Sequence, residues 1–207
     1  MLSLGLLIAA VIFFAVNMGA SGIAPSFAAV YGARLITRRN TVILFFLFVV
    51  LGALTLGERV TKTLSSGLIS KQLFTFDVAL IILVSAAISL FIANILRIQQ
   101  STSWVTVMAT FGAAVYFKDL NWLTTLRMIG MWLILPTIAF FITLAAFKVI
   151  YPPAYKNLWF YEKIHLWKRQ LHALALISSC YVAFAIGANN VANAVGPLAG
   201  AGLIDPF

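Results

Sequence analysis

An all-α integral membrane protein is the fold class this sequence predicts, and three observations carry that. Of its 207 residues 63% are hydrophobic and 9% charged, so 14 Lys+Arg and 5 Asp+Glu cannot coat a water-facing surface. A soluble domain carries about 25% charge. The 17 Phe, 5 Trp and 6 Tyr exclude disorder, since such a chain cannot leave them unburied. Third, the charges fall in short gaps between uncharged runs of membrane-span length. The net charge of +9 therefore reads as cytoplasmic loops against lipid head groups, and no nucleic-acid partner is expected. The single cysteine, Cys180, lies inside an apolar run, so there is no disulfide framework.

The runs cover Met1 to Ala33, Thr41 to Gly57, Val78 to Leu96, Ile98 to Phe117, Met128 to Phe147 and Gln170 to Ile204. A span needs about 20 residues to cross about 30 Å of hydrocarbon. The first run has no basic n-region and outlasts a signal peptide, so it reads as a span. The four middle runs each fit one crossing. The first and last do not, because as straight helices each would be about 50 Å long. Each holds a candidate breaker, Asn17 to Ser26 in one and Gly187 to Pro197 in the other, so both helices are expected to be broken or re-entrant. Irregular backbone at membrane depth is tolerated where it faces protein or a water-filled cavity.

The breakers resemble each other. At an offset of 168, Ala15, Gly19, Ala20 and Ala24 fall on Ala183, Gly187, Ala188 and Ala192, while Met18, Ile23 and Phe27 fall on Ile186, Val191 and Val195. This indicates an internal repeat. The competing reading is a pair of small-residue helix-packing patches. Arg34, Arg38 and Arg39 follow the first span, and Lys156, Lys163, Lys168 and Arg169 precede the last. With both clusters cytoplasmic, the N-terminus is outside and an odd number of crossings precedes the second cluster, which five runs supply. The second copy then enters from the opposite side. Inverted repeats with broken helices at matching positions point to a secondary transporter.

Three sections follow: 1–150 as a first transmembrane repeat, 151–169 as a linker, and 170–207 as the start of a second repeat. Pro152 and Pro153 end the preceding helix, and Tyr155 to Arg169 alternates aromatic and basic residues like a helix lying in the membrane interface. His165 and His172 within this region read as interfacial residues or as a metal or proton site.

Chemistry is expected at four segments. The two breakers would supply helix N-termini that favour an anion. Gln99-Gln-Ser-Thr-Ser103 looks like a helix start carrying hydroxyl and amide donors, either for an oxygen-rich ligand or as ordinary capping. Gly57 to Gly67 holds Glu58, Arg59 and Lys62, which sit in water between spans or dip into the membrane. No Ser/His/Asp set, metal-ligand cluster or phosphate loop is present, so no enzyme is expected.

Gly187-Ala-Asn-Asn-Val-Ala-Asn-Ala-Val-Gly-Pro197 resembles the duplicated signature of the inorganic phosphate transporter (PiT) family of cation-coupled symporters, whose usual form reads GANDVANA. The first breaker is similar to a degenerate copy. Ser101 to Val107 resembles the family's substrate-binding S-T-T-H segment, and Gly57 to Ile69 resembles its G-x-V-x-K-T-x-x-x-G-I stretch. The resemblance implies a multi-pass transporter of the cell (plasma) membrane. Its implied substrate-binding residues are Ser21, Gly22, Ser101, Thr102, Ser103, Asn189, Asn190 and Asn193, with Asn17, Glu58 and Asn190 as coupling-ion candidates. No cofactor is implied. The expected partners are inorganic phosphate or sulfate, the lipid bilayer, a coupling H+ or Na+, and a second copy of the chain as a candidate homodimer.

The departures shift the expected substrate. Where the family carries a carboxylate after each signature Asn, this chain has Gly22 and Asn190, and the histidine of S-T-T-H is Trp104. Gly-Ala-Ser-Gly with Ser-Thr-Ser resembles the bacterial sulfate permease branch. Phosphate near neutral pH keeps a proton and benefits from an acceptor, whereas sulfate needs donors only. Sulfate is therefore expected over phosphate. The alternatives are a sodium-dependent phosphate symporter with an atypical cation site, or a transport-inactive paralogue or scaffold. Because only Gly196 to Phe207 follows the second signature, the chain is also expected to be a fragment or one piece of a split transporter.

Overall fold

The computed structural model describes residues 2–204, so Met1 of the first expected run and Asp205, Pro206 and Phe207 of the expected start of a second repeat lie outside the described residues. The order is α1 (Leu2–Gly32), α2 (Arg38–Ser66), a 3-10 turn (Lys71–Leu73), α3 (Phe76–Ile95), α4 (Thr102–Tyr116), α5 (Trp122–Ile150), a second 3-10 turn (Tyr155–Asn157), α6 (Leu158–Leu166) and α7 (Lys168–Gly200). Among the described residues α1, α2, α3, α5 and α7 are long and apolar enough to cross a membrane. The protein is an all-α, multi-pass membrane protein.

The two signature helices are continuous, which corrects the expected breaks. α1 runs through Pro25 and α7 through Pro197. A helical proline removes one N–H and frees the carbonyl four residues back, here those of Ser21 and Asn193, while the rest of the ladder holds. The glycines serve close approach instead. A Cβ on Gly187 would overlap the Val49 backbone, and one on Gly52 would overlap the Phe184 carbonyl. A Cβ on Gly196 would come within 2.8 Å of the Leu64 Cβ, so α2 and α7 run parallel with their backbones almost touching. Hydrophobicity does not drive helices together in lipid, and this kind of close packing does.

α1 runs antiparallel to both. Leu7 lines a pocket with Leu198, a Cβ on Gly22 would sit 3.4 Å from Ile186, and Phe27 and Val30 share a cluster with Cys180 and Ala183. The signature helices thus cross near Gly19 to Gly22 and Ile186 to Asn190, in the inverted sense that the repeat implies.

α3 and α4 differ from the expected pair of crossings. α3 starts at the end of the molecule where α2 finishes, since Ile69, Phe74, Val78, Ile82 and Ala114 form one cluster. It stops where Asn94 meets Asn17, halfway along α1. α4 then returns, and its 15 residues are too few to span. The two form a re-entrant hairpin with its tip at Leu96 to Ser101. A hairpin adds no net crossing, so α1, α2 and α5 leave three before the second basic cluster, still an odd number. Both basic clusters lie at one end, because Ile36, Ala175 and Leu176 pack against one buried cluster of Phe27, Val30, Phe45, Cys180 and Ala183.

α5 passes along the outside with only Thr125 buried, as a lipid-facing helix does. Its last carbonyls are capped by Asn157, whose amide donates to Val149, Ile150 and Pro152 at 3.1, 2.9 and 3.0 Å. The expected interfacial helix is shorter than Tyr155 to Arg169. It is α6, in which Lys163 Nζ lies 5.9 and 5.7 Å from the Trp159 and Trp167 ring centres. His172 is exposed at the start of α7, and the side chain of His165 lies outside the described residues.

Candidate functional site

The hairpin tip delivers a helix N-terminus to the crossing of α1 and α7. Ser101 is the N-cap of α4, its Oγ accepting the Trp104 N–H at 3.4 Å. The N–H groups of Thr102 and Ser103 begin the helix without intrahelical acceptors, at the positive end of its dipole. The signature itself, contrary to the sequence expectation, supplies no helix N-terminus, because α1 and α7 run straight through it.

α7 meets the hydroxyls with three amides. Asn189 Nδ2 donates to Ser103 Oγ at 2.6 Å, and Thr102 Oγ1 donates to Asn190 Oδ1 at 2.7 Å. Asn193 Nδ2 reaches both oxygens at 3.4 Å. Asn193 is completely buried, yet its Oδ1 has no hydrogen-bond partner among the described residues. Buried amide oxygens are ordinarily satisfied, so this one is an open acceptor below the hydroxyl pair.

A cavity of about 430 Å³ lies over this network. Ser21 and Gly22 of α1, Gln99 to Ser103 of the tip, and Asn189 and Asn190 of α7 line its polar part. Tyr181, Val182 and Ala185 extend it along α7 toward the basic end. No charged side chain is among its described lining residues.

Of the sequence-derived site residues, Ser21, Gly22, Ser101, Thr102, Ser103, Asn189 and Asn190 are brought together here, with Asn193 beneath them. Asn17 and Glu58 are not. Asn17 Oδ1 and its carbonyl both take the Asn94 amide, at 3.1 and 3.2 Å, while its own amide donates to Phe13 O at 2.8 Å. Glu58 lies in α2, paired with Lys62 one turn on, and does not border the cavity. Trp104 turns away to stack on Trp132, 4.5 Å between ring centres.

Two further residues shape the site, one of them within the segment Gln99 to Ser103 already marked for its amide donors. Gln100 lines the cavity, and its amide donates to Ser89 Oγ at 3.4 Å. Asn94 fastens the tip to α1. The signal for Asn94 was its position as the one amide inside the apolar run Val78 to Leu96, where a polar side chain is costly without a partner.

A sequence profile of the phosphate transporter family matches residues 18–166. Sulfate permease CysP of Bacillus subtilis (strain 168) is 40% identical over 197 residues, covering 94% of this chain and 54% of its own length. Sodium-dependent phosphate transporter 2 of Xenopus laevis is 30% identical over 134 residues, 60% of this chain and 20% of that protein. Among solved structures, the sodium-dependent phosphate transporter superposes with a TM-score of 0.76 over 98% of this chain and 68% of its own, at 22% identity, a likeness of fold. The chain thus spans about half the length of the permease and a fifth of the Xenopus laevis transporter.

Proposed function

This chain belongs to the phosphate transporter family, and on that footing we propose that it binds a small tetrahedral oxyanion and moves it across the cell membrane, preferring sulfate to phosphate. The observation that carries this reading is the cavity over the N-terminus of α4, lined by neutral hydroxyl, amide and main-chain donors and by no described carboxylate. A helix N-terminus of this kind favours an anion. A fully deprotonated anion is held by donors alone and is repelled by a carboxylate. Phosphate near pH 7 would bring a proton to a site with no described carboxylate to take it, where Asn190 Oδ1 already accepts the Thr102 hydroxyl on one of its two lone pairs.

The site is built at the α1–α7 crossing and its cavity reaches toward the basic end, which suits access from the cytoplasm in this conformation. Coupling to H+ or Na+ belongs to the proposal. Its best acceptors are Asn193 Oδ1, buried without a partner, and the Asn193 carbonyl freed by Pro197. The names of the similar proteins, a sulfate permease and sodium-dependent phosphate transporters, support this class of substrate.

The test is uptake of labelled sulfate into vesicles containing the full chain, with Thr102→Val as the informative variant. Loss of a hydrogen bond to a charged group costs about 1.5–3 kcal/mol, so affinity is expected to fall about ten- to a hundredfold with expression unchanged. Uptake equal to the parent's would return the hydroxyl segment to simple capping.

A further inference from the structure

Two serines on α3 have no part in the site described above. Ser85 and Ser89 stand one turn apart, and with Asn94 they are the polar residues of the run Val78 to Leu96. A hydroxyl in a membrane helix commonly satisfies itself on the carbonyl four residues back. Thr106, Thr110 and Thr61 do this, at 3.1, 2.9 and 2.9 Å. Ser85 and Ser89 do not. Ser89 Oγ accepts the Gln100 amide, which leaves its own proton to give, and Ser85 has no hydrogen bond among the described residues. Leaving such donors against hydrocarbon is costly, so their position calls for water or a ligand.

Both border a cavity of about 270 Å³ between α3 and α4, walled by Gln100, Trp104, Val105 and Met108. It lies along the hairpin on the side of the tip away from the basic end. Gln100 borders this crevice and also the cavity over the N-terminus of α4. One uncharged amide therefore stands between two chambers with polar walls. Trp104 stacks on Trp132 beside Gln100, whose amide is held, among the described residues, only by its 3.4 Å bond to Ser89.

We propose that the α3–α4 crevice is a second oxyanion subsite, with Ser85 and Ser89 hydroxyls and the Gln100 amide as donors, and that Gln100 passes the anion between the two chambers by exchanging its bond to Ser89 for one to the ligand. The inference rests on the reading of the α4 cavity as the primary site. No described residue of the crevice is charged, so selectivity again comes from neutral donors with no carboxylate to repel the anion.

The test uses the full chain in vesicles, with Ser85→Cys in a Cys180→Ala background and a membrane-impermeant thiol reagent. Ser85→Cys is expected to label from water, and labelling is expected to slow about tenfold at a sulfate concentration ten times its dissociation constant. Weaker protection by phosphate at pH 7 is expected alongside. Absence of labelling would mean that the crevice faces lipid, and labelling indifferent to both anions would mean that it holds only water. Either overturns the subsite. Ser85→Ala with Ser89→Ala should also lower the uptake rate about tenfold, the effect of a lost donor. If Thr102→Val lowers uptake and this pair does not, the primary site stands and the subsite falls. If the parent takes up neither anion, the primary reading falls, and protection of Ser85→Cys decides the subsite separately.

Discussion

On α7, Gly187 lies against the Val49 backbone and Gly196 against Leu64, whereas on α1 the matching Gly19 has open space beside it. The two copies also differ in polar content. α7 presents Asn189, Asn190 and Asn193 to the hydroxyls of the hairpin tip. The matched positions of α1 are Ser21, Gly22 and Pro25, and its one amide, Asn17, is spent on docking Asn94. The copies share small residues, which serve close helix approach on α7 and face open space at Gly19 on α1, and they differ in their polar chemistry. The polar site is found where the similarity between the copies lapses.

The largest test of that division substitutes the shared glycines. Gly187→Leu forces the side chain into the backbone of α2, which cannot rotate away. Overpacking usually costs about 1–3 kcal/mol, and this site is expected at or above the top of that range. Gly19→Leu, facing open space, is expected to stay within about 0.5 kcal/mol. Unfolding of the purified protein by denaturant in one detergent compares them. Equal losses would remove the distinction between the copies.

A smaller effect is expected at the dock between hairpin and α1. Asn94 donates to two oxygens of Asn17, and hydrogen bonds between membrane helices average about 0.6 kcal/mol with a maximum of about 1.7. Asn94→Ala should lower stability by roughly that amount and weaken sulfate binding severalfold through a displaced tip. Asn94→Asp should be worse than Asn94→Ala despite its closer shape, because it sets an acceptor against two acceptors. The reverse order in a thermal-stability assay would show that the tip is held elsewhere.

The smallest effect lies in the loops at the far end of the hairpin. The Ser70 N–H donates to Asp119 at 2.8 Å, and hydrogen bonding from Ser70 holds the Asp119 carboxyl below its ordinary range. With a folded pKa below the unfolded value of about 3.9, this tie stabilises above pH 4 and is lost as pH falls through the folded value. Between pH 7 and pH 3 the parent should therefore lose slightly more melting temperature than Asp119→Asn. An identical slope in the variant would mean that the tie is open to solvent screening throughout.

Much of this architecture was legible in the residues. The polar opening of α4 at Gln99 to Ser103, the inverted relation of the signature helices and the common end of the two basic clusters all follow from pattern. The hairpin was not legible, because the run Val78 to Leu96 is as long as a crossing. Only the meeting of Asn94 with Asn17, partners 77 residues apart, shows that α3 stops halfway. The continuity of α1 and α7 was hidden for a related reason. Proline and glycine mark a possible break, but whether the helix gives way depends on the neighbour, and at Gly187 the neighbour is a backbone that needs the helix straight. Glu58 was singled out for its rarity as an acid, and it pairs with Lys62 one turn away without bordering the cavity.

The central claim is that a carboxylate-free donor site selects the fully deprotonated anion, and Asn190→Asp tests it most directly. The change keeps the acceptor that Thr102 uses and replaces the amide donor with negative charge, without the crowding that Gly22→Asp would meet at Phe45, 3.0 Å from a new Cβ. The measurement is competition between labelled sulfate and phosphate in vesicles at pH 7, with and without sodium, before and after the substitution. The parent is expected to prefer sulfate, and Asn190→Asp to weaken sulfate about tenfold more than phosphate, since each 1.4 kcal/mol of unrelieved repulsion is a factor of ten. A parent that prefers phosphate and requires sodium, with no shift in preference on substitution, would contradict the account.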